Sequence, residues 1–443
     1  MVLEIVSLAA SLIIEIIRIK IKYKIIGGVI LSKLYNKFEF IGNLFISNNK
    51  EKFHEIKEYD SGWVKNRLSF AVQESKTNSV FVELEGGYSK SKPNKVHSFS
   101  KGTENNKGSK LEIPWEDRLK DETVNMVADF SKIIIDFNDE SVKEKLNDLR
   151  YKLRGLDNKD SLTEEEKESR SKLLDEYKKL NVNGAEFIHE YDAIQYLSEN
   201  LEKHKDKKFK ITGSVEYNTW KGRNFRKFKI QTIEIVSNDT PSQLRANLDV
   251  FYTNDSLDET SFDEEKKYFI DAYVLSYDNQ AKRDRFFPQQ LVINAKKLDF
   301  NNELHLKRLE LLKNFFKVDE DGVYHLLWEV NIFRGADEVD FTEDDLSPNQ
   351  KEMIALGLNT LDDFKPKGGM LGESREENRL LKPILKKVND FNDFTEGALT
   401  STYEVEDLTY VPQQAQKTAP SVGKEESKVT EEEKDNAFDD LFA

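Results

Sequence analysis

The chain has 443 residues, a formal net charge of −15 and no cysteine. The absence of cysteine excludes disulfides, thiolate metal sites and thiol nucleophiles together, and suits a reducing cytoplasm. Six histidines stand far apart, with no two at the spacing of a metal-binding helix or loop, so neither a metal nor another cofactor is expected. The length allows two or three domains, and 38% hydrophobic with 11% aromatic residues can fill their cores. Charged residues make up 34% of the chain, 82 acidic against 67 basic, so where charges cluster matters more than their sum.

The opening MVLEIVSLAASLIIEIIRIKIKYKIIGGVIL resembles an anchor only at first. Its apolar run from Ile5 to Ile14 is about half the ~20 residues of a spanning helix. Glu15, Arg18, Lys20, Lys22 and Lys24 then interrupt it, and basic residues following an apolar run are the reverse of a secretory signal. Gly27-Gly28 can be encoded by a ribosome-binding GGAGGT, with Leu31 as an alternative TTG start. Residues 1–30 are therefore read as untranslated leader or as a helical extension. No membrane partner is expected.

From Lys37 onward, KFEFIGNLFI, WVKNRLSFAV, SVFVELEGGY and NKVHSFS alternate apolar and polar residues between turn-forming clusters, the pattern of half-buried antiparallel strands. The lysine-rich stretch 89–110 reads as one strand between basic loops. Residues 139–180 switch to helical spacing: Val142, Leu146, Leu149 and Leu153, then a capping box at Ser161-Leu-Thr-Glu164 ahead of Leu173, Leu174, Tyr177 and Leu180. After a short helix near 191–201, FKITGSVEY turns through NTWKG into RNFRKFKIQTIEIV. Three strands, a helix and a closing hairpin follow the order of an OB-fold, which lays single-stranded nucleic acid over one sheet face.

The fold expected is thus mainly β with α insertions. It comprises an OB-fold-like domain over 31–240 carrying a helical hairpin insertion at 139–180, and a second OB-like β domain over 241–340 with a helix at 302–316. Ser347-Pro348-Asn349-Gln350 supplies a capping box with proline at the first helical position, opening a helical or irregular segment over 341–410 in which Gly357 ends the helix. PKGGMLGES lacks the Gly-Lys-Ser/Thr ending of a phosphate loop and reads as a turn. Residues 411–443 form an acidic tail whose composition predicts disorder.

Within this acidic chain, TWKGRNFRKFK places Lys221, Arg223, Arg226, Lys227 and Lys229 among Trp220, Phe225 and Phe228, with no acid. Cations that follow phosphates and rings on which bases stack are the two requirements of single-strand binding. Phe225 and Phe228 stand three apart on a strand, so they point to opposite faces and one of them belongs to the core. Trp220, at the turn, is the better stacking candidate. Lys210 joins the candidate set; Trp63 and Tyr88, beside basic loops, and Trp115 in IPWEDR are weaker candidates, since aromatics of β barrels more often belong to the core. In the tail, eight acids accompany two lysines from Glu425 onward, ending Phe438-Asp439-Asp440-Leu441-Phe442-Ala443. Acids punctuated by aromatics after a flexible linker make a portable docking peptide.

On these segments, ITGSVEYNTWKGRNFRKFKIQTIEIV and DNAFDDLFA above all, the chain resembles the single-stranded-DNA-binding proteins of tailed bacteriophages and, more broadly, those of bacteria. The resemblance implies non-enzymatic binding of single-stranded DNA during replication, recombination and repair in the host cell cytoplasm, with the tail recruiting replication proteins. The bacterial tail ends Pro-Phe, whereas this one ends Leu441-Phe442-Ala443, and the helical insertion has no place in the compact bacterial pattern. Two other readings stand beside it: a metal-dependent nuclease using Glu83, Glu85, Glu116 and Asp117, and a protein scaffold that binds no nucleic acid.

Overall fold

The computed structural model describes residues 36–103, 107–220, 223–278, 282–318, 321–339, 341–365, 370–384, 398–400 and 403–409. The leader reading of residues 1–30 and the tail residues Phe438, Asp439, Asp440, Leu441 and Phe442 lie outside them.

The first half opens with β1 (Lys37–Phe45), the short β2 (His54–Glu58), and the long hairpin of β3 (Trp63–Ser75) and β4 (Asn78–Ser89). The one strand expected within 89–110 is β5 (Lys95–Phe99), which pairs with β6 (Lys110–Pro114), beginning where that stretch ends, in a separate two-stranded sheet. Then come β7 (Ile133–Asp136), the helical pair α1 (Glu140–Asp157) and α2 (Glu164–Leu180), β8 (Gly184–Phe187), α3 (Glu190–Asn200), and the hairpin of β9 (Lys208–Trp220) and β10 (Arg223–Val236). The capping box of α2 is Thr163 with Glu166, two residues beyond the expected Ser161 and Glu164. Thr163 satisfies the exposed amide of Glu166 while its own amide donates to the Glu166 carboxylate.

Five of these strands close on themselves. β1 pairs with β3, β3 with β4, β4 with β10, β10 with β9, and β9 with β1; every pairing is antiparallel except β4 with β10. In chain order the ring runs first, second, third, fifth, fourth. Its interior is filled by alternate residues such as Phe40, Leu68, Val82, Leu84, Ile211 and Ile230, and α3 adds Ala193, Ile194 and Leu197 to the same core.

The second half repeats this order. It contains β11 (Gln243–Tyr252), β12 (Leu257–Asp258), β13 (Lys267–Asp278), β14 (Arg283–Asn294), α4 (Glu303–Asn314) and β15 (Val323–Val339). After α5 (Pro348–Ala355) come β16 (Met370–Pro383), β17 (Ala398–Thr400) and α6 (Val405–Thr409). The pairings β11 with β13, β13 with β14, β14 with β16, β16 with β15 and β15 with β11 form a second five-stranded ring, again with one parallel contact, between its third and fifth strands. Its last strand, β16, comes from the segment read as helical or irregular: Met370 to Ser374 of the supposed turn are strand. The second β unit therefore extends to Pro383 instead of ending near residue 340. The box at Ser347 and Gln350, proline at the first helical position and a left-handed Gly357 (φ 71°) stand as the sequence specified.

The rings share one hydrophobic core and are stitched by β1, whose residues Lys37–Ile41 pair with β11 before residues 43–45 pair with β3. Gly42 sits at the change of partner. A Cβ there would lie 2.1 Å from the Gln73 carbonyl oxygen. Gly42→Ala is expected to lower stability by about 1–3 kcal/mol through enforced overpacking. A denaturant titration checks this, and an unchanged midpoint would mean that β1 and β3 do not need this close approach.

Candidate nucleic-acid interface

Alternation along the first ring separates a packed interior from an outer wall. On β3 the outer positions include Trp63, Lys65, Arg67 and Ser69; on β4 they include Phe81, Glu83, Glu85 and Gly87; on β10 they include Arg223, Phe225, Lys227 and Lys229. The registers Ser69 opposite Glu83 and Lys229 opposite Glu83 place these three strands side by side. Phe225 is 45% exposed and Trp63 43% exposed. The Trp63 indole lies over Gly87, where a Cβ would come within 2.6 Å of its ring. Phe81 carries the Arg334 guanidinium 5.3 Å above its ring centre. From Phe81 to Gly87 the strand rises about 20 Å at ~3.3 Å per residue. Rings thus stand at both ends of a track with cations between.

Those cations are not bare. Arg67 donates from Nε and Nη2 to Glu83 at 3.2 and 2.8 Å, and Lys227 Nζ lies 2.8 Å from the other Glu83 oxygen and 3.7 Å from Glu85. Lys229 pairs with Glu190 at 2.8 Å and more distantly with Glu216, and Lys65 pairs with Glu55 at 3.0 Å. Arg226 points to the opposite face and bonds to Glu376 and Asn378 of β16. With Tyr217 stacked on Phe287 at 5.6 Å and Arg285 donating to Asn224 at 3.3 Å, it fastens the hairpin to the second ring.

The residues singled out from sequence therefore separate. Arg223, Phe225, Lys227, Lys229 and Trp63 share the outer wall. Phe228 is 5% exposed and packs edge-on against Phe38 and Phe40, so it is a core residue and cannot stack on a base. Arg226 is a fastener between rings. Tyr88 turns the other way and packs with Trp115 and Tyr191, with Arg118 lying 3.8 Å over the Trp115 ring. Lys210 lies at the far end of β9 from the hairpin tip, between Glu234 and Glu39. Lys221 and the side chain of Trp220 lie outside the described residues. Sequence reading missed Arg67, Phe81 and Arg334, although Arg67 and Phe81 fall on outer positions of strands whose alternation was plain.

Three of the four acids named for a nuclease are engaged elsewhere: Glu83 and Glu85 face cations, and Asp117 pairs with Lys120 within its own turn. Among the described residues no three histidines or acids are gathered for a metal ion, and no helix is long and apolar enough to cross a membrane.

No family model and no curated protein matches this sequence. Among solved structures, the chain aligns with a crystal structure of a deletion mutant of the single-stranded DNA binding protein from Thermus aquaticus. The alignment covers 82% of this chain and 98% of that chain, at 9% identity and a TM-score of 0.27. A likeness of that size carries no argument about ligand or mechanism, which must come from the site itself.

Glu83 is the electrostatic centre of the wall. Burial raises its pKa, but the charges and hydrogen bonds of Lys227 and Arg67 more than reverse this and hold it below the ordinary glutamate value. A depressed folded-state pKa contributes stability above the unfolded value, which is lost as pH falls through the folded one. The difference in melting temperature between the wild type and Glu83→Gln is accordingly expected to be largest near neutrality and to shrink below about pH 4.3, the unperturbed glutamate value. A pH series of thermal melts measures it; a difference that does not change with pH would contradict the assignment.

Proposed function

We propose that this chain is a non-enzymatic, sequence-tolerant binder of single-stranded DNA, built on two barrels of OB-fold topology. The observation that carries the reading is the outer wall of the first ring, where Phe225, Phe81 and Trp63 bracket Arg67, Lys227, Lys229 and Lys65 on adjacent strands. The ring order first, second, third, fifth, fourth, with a helix between the third and fourth strands, supports the OB assignment. Flat rings accept any base and cations follow any backbone, so such a surface reads little sequence. Lys221 and Trp220, at the hairpin tip, would extend the track.

Replication, recombination and repair of phage DNA form the proposed setting, supported by the resemblance of the β9–β10 hairpin and the terminal Phe438-Asp439-Asp440-Leu441-Phe442 to phage single-strand binders. In this reading the tail recruits replication proteins and, as a polyanion, competes with DNA for the same cations.

Fluorescence polarisation of labelled oligo-dT in a salt series tests the proposal. Affinity is expected to fall linearly with salt concentration when both are plotted as logarithms. Phe225→Ala should weaken binding by about 1–3 kcal/mol, the value of one stacked base. Tyr151→Ala, which removes an exposed ring from α1, should leave binding unchanged. Salt-insensitive or undetectable binding would favour a scaffold instead, and equal losses from both variants would place the contact elsewhere.

A further inference from the structure

Two cations of the proposed wall converge on one acid. Glu83 stands in the middle of the outer face of β4 and accepts from a cation on each flanking strand, Arg67 on β3 and Lys227 on β10, one through each carboxylate oxygen. Its side chain is 14% exposed, whereas those of Arg67 and Lys227 are each 35% exposed, so the carboxylate lies beneath the two cations and they face solvent. A phosphate has the same means of bridging them, with two anionic oxygens and a matching geometry. Placing an acid there halves the positive charge that this part of the wall presents.

We propose that Glu83 is an internal attenuator of nucleic-acid binding: its carboxylate holds the site that a backbone phosphate would otherwise fill, and keeps affinity low enough for the strand to be released. This rests on the single-strand reading above. In the Glu83→Gln variant the neutral amide has no charge with which to hold Arg67 and Lys227, so both become available to phosphates. Glu85, 3.7 Å from Lys227 and more exposed, acts in the same sense but more weakly.

The experiment compares the full-length wild type, Glu83→Gln, Glu85→Gln and Glu112→Gln in polarisation titrations of oligo-dT. Glu112 pairs with Lys95 on the separate β5–β6 sheet, so Glu112→Gln makes the same change in net charge away from the wall. Glu83→Gln is expected to bind more tightly than the Glu112→Gln control and with a steeper salt dependence. Two released cations at ~0.7 per phosphate add about 1.4 to the log–log slope, so its advantage should be about seven-fold greater at about 50 mM than at about 200 mM salt. Should Glu83→Gln fail to fold, Glu85→Gln carries the same test, with a smaller rise over the control expected. If the wild type binds and neither variant exceeds the control, the attenuator is refuted while the single-strand reading survives. If neither the wild type nor any variant binds oligo-dT, both fall.

Discussion

Strand β1 cannot keep one neighbour along its length. On one edge it runs beside β9; on the other it begins beside β11 and finishes beside β3. The exchange at Gly42 closes the first ring and, with the same strand, attaches the second. Removal of a side chain at that point lets the Gln73 carbonyl come close enough for β3 to take over as β11 leaves. Everything on the outer wall depends on that closure, because only a closed ring brings β10 back beside β4. Lys227 and Arg67, far apart in sequence, then meet over a single carboxylate.

The duplicated ring order shows how one pattern is met by different chemistry. The interior of the first ring is conventionally apolar at its fifth strand, with Phe228 and Ile230 turned inward. The fifth strand of the second ring, β16, carries Glu376, Glu377, Asn378 and Arg379. Glu377 is buried and is held by the fully buried Lys267 and by Arg379, whose guanidinium also lies 3.5 Å above the Phe333 ring. Burial raises the pKa of Glu377, and the hydrogen bonds and charges of those two cations overturn the rise and keep it below the ordinary value. Glu377 and Arg379 lie opposite Phe333 and Asn331, on the face turned away from Val330, Ile332 and Leu380, and this buried group of charges is tolerated there because each charge is answered.

The same fact explains what could and could not be read from the sequence. Amphipathic α1 and α2, the Ser347 box and the alternating strands were legible, since each signal is local. The closing strand β16 was not: Met370-Leu-Gly-Glu-Ser374 has no apolar alternation, and the partner of Glu377 lies 110 residues away. The capping box of α2 was displaced because two hydroxyl residues precede the same run of glutamates, and only backbone geometry selects Thr163. The basic hairpin was legible as composition but not as electrostatics. Its sequence contains no acid, yet Glu83, Glu190 and Glu376 reach it from β4, α3 and β16. Opposite faces for Phe225 and Phe228 followed from strand geometry alone, and the structure assigns the core place to Phe228.

An acidic protein with a cationic track is then no contradiction. Its cations are held in position by acids beneath or beside them, and its exposed rings offer what a phosphate backbone alone cannot supply. The most direct measurement is photocrosslinking of the full chain to an oligonucleotide carrying 5-iododeoxyuridine, with the attached peptides identified by mass spectrometry. Attachment at Trp63, Phe81 or Phe225 is the result expected of a strand lying along β3, β4 and β10. Attachment confined to α1 and α2, or to the helices of the second half, would contradict it.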